Sequence, residues 1–290
     1  YRLGQSHPYP GVADQLFEEL RLIRRVTLYP YKKMILDKIV ARKKKEVDQL
    51  KREGTALPAE YDNTAVDPPR GFSRALTRYG GVAIIAEVKK ASPSKGIISA
   101  NFDPQAIALN YQENGAQAVS VLTDVDFFQG SLKYLLQVRS TITLPVLRKD
   151  FIIDSLQIEE ASSHGADAIL LIAAILSQSQ ISEYQHMAKE LGMDSLVEIH
   201  DEDDLEKALG AQAALIGINN RNLNDFSVDI NTTFRLKKMI PDTIPVVSES
   251  GLATAADLAL LKEHDICAAL IGESLMRAGH DSPLLQSLRS

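Results

Sequence analysis

Eight short apolar runs recur along this chain, at residues 82–88, 118–123, 144–147, 168–175, 195–199, 214–218, 244–247 and 267–271, with starts 19 to 36 residues apart. Between them lie segments of helical periodicity. Residues 104–114 carry Ala106, Ile107, Leu109, Asn110 and Tyr111, and residues 155–164 carry Leu156, Ile158 and Ala161. Residues 178–191 carry Ile181, Tyr184, Met187, Ala188 and Leu191, and residues 254–263 carry Ala255, Leu258, Leu260 and Leu261. Nearly all-apolar strands must be covered on both faces, and strand–helix alternation makes them parallel. The pattern predicts an α/β fold, a closed (β/α)8 TIM barrel with an N-terminal helical extension. An open doubly wound sheet is the alternative, but it usually carries a glycine-rich dinucleotide turn after its first strand. The turn here, Ala91-Ser92-Pro93-Ser94-Lys95-Gly96, lacks that spacing.

The region before residue 82 breaks the rhythm. The chain therefore divides into a helical extension and linker over 1–72 and a catalytic barrel over 73–290. An amphipathic helix is expected over 13–25, through Leu16, Phe17, Leu20 and Ile23, ending by Pro30. A second is expected over 31–52, with Met34, Ile35, Ile39, Val47 and Leu50 on one side. It holds nine Lys or Arg against three acids, with no aromatic residues among them. A solvated face on a helix docked to the barrel is favoured over a nucleic-acid patch. Residues 53–72, with Pro58, Pro68 and Pro69, read as a linker.

The net charge of −6 argues against nucleic acid as a partner of the whole chain. No apolar stretch approaches the ~20 residues of a membrane helix, and the start, Tyr1-Arg2-Leu3-Gly4, shows no signal pattern. The single cysteine, Cys267, rules out an internal disulfide and fits a reducing, cytoplasmic compartment. Otherwise it reads as a small core residue.

In a parallel barrel the chemistry lies where strands end and loops begin. The first run ends in Glu87 and Lys89, which alternation sends to one face. Burying two charges costs several kcal/mol, so they belong where a ligand, a partner charge or water meets them. The second ends in Thr123-Asp124, the third in Arg148-Lys149-Asp150, and the fourth in nothing ionisable. The fifth gives Glu198 and His200, the sixth Asn219, Asn220 and Arg221, the seventh Ser248-Glu249-Ser250-Gly251, and the eighth Gly272-Glu273-Ser274. The run from His200 to Asp204 reads as a helix cap with first-turn acids. No metal is expected, because Glu198 and His200 lack a third ligand on a rigid spacing. Lys149 is either catalytic or a structural ion-pair partner. Catalysis is favoured, since Lys89 and Glu198 come to the same mouth from other strand ends. Ser250, Gly251, Gly272, Glu273 and Ser274 stand where barrels often bind phosphate through backbone N–H groups. Ordinary strand-to-helix turns are the alternative. Glu273 suits a phosphate only if its side chain turns away.

The stretch Ile85-Ala86-Glu87-Val88-Lys89-Lys90-Ala91-Ser92-Pro93-Ser94 closely resembles the signature of the indole-3-glycerol phosphate synthase family of tryptophan biosynthesis. Further matches follow in order: Val121–Asp124, Phe128–Ser131, Arg148–Ile152, Leu196–His200, Gly217–Leu223, Ser248–Gly251 and Leu270–Arg277. Together they span about residues 31–290. Phe127 stands where the family often has tyrosine.

The resemblance implies an enzyme that converts 1-(2-carboxyphenylamino)-1-deoxyribulose 5-phosphate to indole-3-glycerol phosphate with loss of carbon dioxide and water. It implies no metal and no organic cofactor. On the same basis Lys149 is the general acid and Glu198 the general base. Lys89 contacts substrate anions and supplies a proton in dehydration, though sequence does not divide the acid roles between the two lysines. Glu87 and Asn219 hold the lysines and the departing oxygen. Arg221 and Ser92 hold the benzoate carboxylate, and Phe128, Phe151 and Leu170 line the pocket for the aromatic ring. The helix at 31–52 has a family counterpart near the barrel mouth, and its Lys43, Lys44 and Lys45 are expected to steer the anionic substrate. The implied partner is a small phosphorylated molecule, with association to other tryptophan-pathway enzymes and neither nucleic acid nor membrane. Three rivals stand beside this reading: a phosphoribosylanthranilate isomerase-like barrel with a catalytic Cys on its first strand, a Schiff-base aldolase barrel using Lys149, and a non-catalytic phosphate-binding barrel.

Overall fold

The computed structural model describes residues 34–55, 57, 67–223, 225–279 and 283–288. The helix expected over 13–25, His7, His280 and half of the linker lie outside the described residues.

Eight parallel strands close into a barrel in chain order: β1 Ala83–Val88, β2 Ala118–Leu122, β3 Val146–Lys149, β4 Ala168–Ile172, β5 Asp194–Ile199, β6 Ile216–Asn219, β7 Val246–Glu249 and β8 Ala268–Ile271. Closure is made by β8, which pairs with β1 through Ile85 and Leu270. All eight apolar runs are therefore strands. Three of them go further than their apolar residues: β3, β6 and β7 continue to Lys149, Asn219 and Glu249. Ladder hydrogen bonds hold those ends, so the strand outlasts the hydrophobic pattern.

Helices α1 Met34–Glu53 and α2 Phe72–Thr77 precede the barrel. Those that cover it are α3 Pro104–Glu113, α4 Leu132–Thr141, α5 Leu156–Ser163, α6 Gln178–Glu190, α7 Glu202–Gly210, α8 Asn231–Lys237 and α9 Ala255–Glu263, followed by the short α10 Glu273–Ala278 and α11 Leu284–Ser287. Local chemistry sets several starts. Asp103 caps α3 by accepting N–H bonds from Gln105 and Ala106, and Ser177 and Thr254 form capping boxes with Gln180 and Asp257. Asp201 caps α7 by accepting from the Asp204 N–H, as the acidic run there predicts.

Alternation along the strands sorts the core into two. Ile84, Ala86 and Val88 of β1 join the layer between barrel and helices. Ala83 and Ile85 join the barrel interior, with Leu147, Leu170, Leu196, Val247 and Leu270 from other strands. The linker ends sooner than expected, in α2. Phe72 and Leu76 are fully buried in the interior cluster and close the barrel at its N-terminal end. Backbone Arg70 N–H donates to Asp167 at 2.6 Å, which seats this plug.

Truncating the plug removes most of a buried aromatic side chain. Phe72→Ala is expected to cost about 3–5 kcal/mol of stability, read from urea denaturation; a loss below about 1 kcal/mol would show that α2 does not close the interior.

Candidate active site

The side chains that follow inward on the same strands are charged. Above Ala83 and Ile85 come Glu87 and Lys89; above Leu147, Lys149; above Leu196, Glu198; above Gly217, Asn219; above Val247, Glu249. A polar ring thus rests on an apolar floor, at the C-terminal mouth of the barrel.

The ring is joined by ion pairs. The Lys149 ammonium stands 2.6 Å from Glu249 Oε2 and 3.2 Å from Glu198 Oε2. Lys89 pairs with Glu87. Burial opposes the charge on Lys149, but Glu249, Glu198 and Glu87 outweigh it and raise its pKa above the ordinary lysine value. Burial likewise works against ionised Glu87 and Glu198. Lys89 and Lys149 overcome it at Glu87, and Lys149 and His200 at Glu198, so both carboxyls fall below their usual value. Glu249 goes the other way. Only 1% of its side chain is exposed, and its Oε1 has no hydrogen-bond partner among the described residues. Burial pushes it up to about 7, against the pull of Lys149. Of the three carboxylates, the one with the least exposed side chain is the one whose burial is not overcome.

Two glycines make room for this ring. A Cβ at Gly217 would run into Glu249 Oε1, and one at Gly272 into Glu87 Oε1. The lack of a side chain on β6 and after β8 lets each carboxylate lie flat against the neighbouring strand.

The sequence-predicted residues converge on one cavity of about 560 Å³. Glu87, Lys89, Lys149, Glu198 and Asn219 line its floor; Ser92, Phe128, Phe151, Leu170 and Arg221 its walls; Ser250, Gly251, Gly272, Glu273 and Ser274 its far rim. Phe128 and Phe151 pack as a tilted pair with ring centroids 6.0 Å apart. Asp124 orients the Phe128 loop by accepting N–H bonds from Phe127 and Phe128 at 2.8 and 3.2 Å. Asn219 Oδ1 accepts from the Arg221 N–H at 3.0 Å and from Ser250 Oγ at 2.9 Å. At the rim, Ser250 and Gly251 both have positive φ, 69° and 80°, a conformation that is uncommon for serine and that recurs at ligand sites. The Ser274 hydroxyl is already used, donating to the Leu252 carbonyl at 3.1 Å. The Glu273 carboxylate meets Arg277 at 3.1 Å, Arg221 at 3.4 Å and Lys95 at 3.8 Å.

Two features escaped the sequence reading. Glu249 ends the seventh run, and the adjoining Ser-Gly turn drew attention from it; its place two residues after inward Val247 was the available signal. The other is Lys43. The run of lysines predicts it on a solvated, steering face with Lys44 and Lys45, and the structure overturns this: its side chain is 3% exposed. Its ammonium lies 2.8 Å from Asp150 and 3.0 Å from Asp124. Leu36, Ile39, Lys43 and Val47 form the buried stripe of α1. The helix therefore docks on the ends of β2 and β3, and Ile35, Leu36 and Ile39 reach the cavity.

Comparison with known proteins adds identity to this geometry. The family model for indole-3-glycerol phosphate synthase matches residues 36–288. An indole-3-glycerol phosphate synthase from Desulfotalea psychrophila is 62% identical over 254 residues, covering 88% of this chain and 98% of that protein. One from Chlorobium chlorochromatii is 51% identical over 255 residues, covering 87% and 98%. Among solved structures, KGPDC from Streptococcus mutans superposes with a TM-score of 0.56 at 12% identity, over 72% of this chain and 95% of that one. The N-acetylmannosamine-6-phosphate 2-epimerase from Clostridium perfringens gives 0.54 at 14% identity, over 67% and 88%. At such identities these two speak for the fold alone.

The buried Lys43 pair makes a stability prediction. Burial works against ionised Asp150, but Lys43 and Arg148 hold it well below the usual carboxylate range. Its stabilising contribution is therefore present above the unfolded pKa of about 4 and lost as pH falls towards the folded value. Lys43→Met leaves two buried carboxylates short of a cation. It is expected to cost about 3–5 kcal/mol and to move the acid-unfolding midpoint to higher pH, measured by circular dichroism. An unmoved midpoint would mean that Lys43 is not what holds Asp150 ionised.

Proposed function

The chain belongs to the indole-3-glycerol phosphate synthase family, and we propose that Lys149, Glu198, Lys89, Glu87, Asn219 and Glu249 carry out its ring closure. The reaction is the decarboxylating, dehydrating conversion of 1-(2-carboxyphenylamino)-1-deoxyribulose 5-phosphate to indole-3-glycerol phosphate.

The observation that carries the residue assignment is the Lys149 ammonium clamped between Glu198 and Glu249. A lysine held as ammonium is an acid, not a nucleophile. The aromatic carbon bearing the carboxylate attacks the ketone carbon, and Lys149 gives its proton to the ketone oxygen as charge develops there. Carbon dioxide then leaves with its bonding pair returned to the ring, which regains aromaticity. Glu198 takes a proton from the ring CH₂ beside nitrogen, Lys89 protonates the hydroxyl, and water departs. Glu87 holds Lys89, Glu249 holds Lys149, and Asn219 holds the departing oxygen. The same ammonium argues against a Schiff-base aldolase, which needs a neutral amine. Cys267 argues against an isomerase with a first-strand cysteine: it lies just before β8, beside Thr77 and Pro245 at the other end of the barrel.

For binding, the reading seats the phosphate on the rim from Ser250 to Ser274, the aromatic ring against Phe128, Phe151 and Leu170, and the benzoate carboxylate on Arg221 and Ser92. A guanidinium matches a carboxylate's two oxygens. Glu273 is already engaged with three cations, which leaves its backbone N–H for the phosphate. A cytoplasmic location and association with neighbouring tryptophan-pathway enzymes belong to the same proposal. A multiply charged substrate does not cross a membrane unaided, so its supplier shares the compartment.

Incubation with the anilino-deoxyribulose phosphate should produce indole fluorescence, and its absence would overturn the reading. Lys149→Ala is expected to lower kcat by about two or more orders of magnitude; near-normal kcat removes Lys149 from the chemistry. In Arg221→Ala the main change is expected in KM, which should rise while kcat moves little. The reverse pattern would place Arg221 at the reacting atoms instead.

A further inference from the structure

We propose that His200 is a positioning residue for Glu198, an imidazolium wedged between Glu198 and Asp204 that keeps the base ionised and aimed. The proposal rests on the reading of Glu198 as the general base.

His200 follows β5 directly, two residues after Glu198. Its Nε2 stands 3.4 Å from Glu198 Oε1, and its Nδ1 3.5 Å from Asp204 Oδ2. The same Asp204 oxygen accepts the His200 backbone N–H at 3.2 Å, which ties strand end to helix α7. Both ring nitrogens are buried and neither makes a hydrogen bond among the described residues, so the two carboxylates face them as ion-pair contacts. A neutral imidazole has one lone pair, and here it would have to point at a carboxylate. With an acid facing each nitrogen, the form that fits is the one with two N–H donors.

The surrounding charges agree. On α7, Lys207 holds the other oxygen of Asp204 at 3.2 Å, and donates to the Ala173 carbonyl after β4 at 2.6 Å. On β3, Lys149 holds the other oxygen of Glu198. On β7, Glu249 adds negative charge. Burial opposes protonation of His200, but Asp204, Glu198 and Glu249 together raise its pKa above the ordinary histidine value. Asp204, favoured by His200 and Lys207 over its burial, is held below the usual range. The result is a line of alternating charges, Lys207, Asp204, His200, Glu198, Lys149, from the helix to the barrel centre. Each oxygen of Glu198 therefore has its own cation, and the carboxylate is fixed in rotation as well as in charge.

The test is the pH profile of kcat/KM in His200→Gln, which keeps a hydrogen-bond donor and loses the charge. Without the imidazolium, protonated Glu198 is favoured. The acid limb should move up by about one unit, and kcat should fall by about tenfold, less than the loss of the base itself. Asp204→Asn should move the limb the same way. An unmoved limb in a folded His200→Gln protein overturns the proposal. If that variant does not fold, NMR of wild-type His200 decides: by linkage its imidazole should titrate above about 6.5 and drop in Glu198→Gln. A ring that titrates identically in both proteins overturns it equally. Failure of the underlying reading looks different, since Glu198→Gln would then keep its turnover.

Discussion

Everything at the barrel mouth depends on mutual neutralisation of charges that none of the strands could bury alone. Period-two alternation forces the residues above an apolar floor to point inward. At β1, β3, β5 and β7 those residues are Glu87, Lys149, Glu198 and Glu249. An isolated ion there would cost several kcal/mol. Interlocked around Lys149, the carboxylates instead fix one another's position and hold the lysine as ammonium. The same packing buries Glu249, and that burial, helped by Glu198 and Glu87, raises its pKa against the pull of Lys149.

The N-terminal helix obeys the same rule from outside. Helix α1 is rich in lysine, and all but one of the basic residues described there remain at least partly solvated. Lys43 goes inward because Asp124 and Asp150 wait at the ends of β2 and β3. Asp150 directly follows Lys149 and also takes a bond from Arg148 at 3.1 Å. The docking of an element outside the barrel is thereby built into the segment that carries the central lysine.

Much of this was legible in the chain. Eight apolar runs with helical spacers admit few architectures, and closure follows from their number. Charged strand ends marked the mouth, because an apolar strand has no other reason to finish in Glu87 and Lys89. What escaped the sequence reading depends on contacts between distant segments. Helical spacing sets Lys43 on the Ile39–Val47 face and Lys44 off it, but that a lysine is buried there depends on partners 81 and 107 residues away. Helix α2 was hidden by its six-residue length and its place behind Pro68 and Pro69. Glu249 was visible as a strand end, but its role comes from Lys149 on another strand. The ends of β3, β6 and β7 were misjudged by one or two residues, because hydrogen bonding and not hydrophobicity decides where a ladder stops.

Gly217 and Gly272 carry one more consequence. Each supplies an absence of volume that a carboxylate from an adjacent strand fills. Residues 217 and 249, and likewise 272 and 87, are thus one steric unit divided between two positions. Any relative that replaces either glycine must shorten or move the facing acid in the same step. A side chain at either glycine displaces a buried carboxylate oxygen, so what is substituted there rearranges the charges of the mouth as well as its volume.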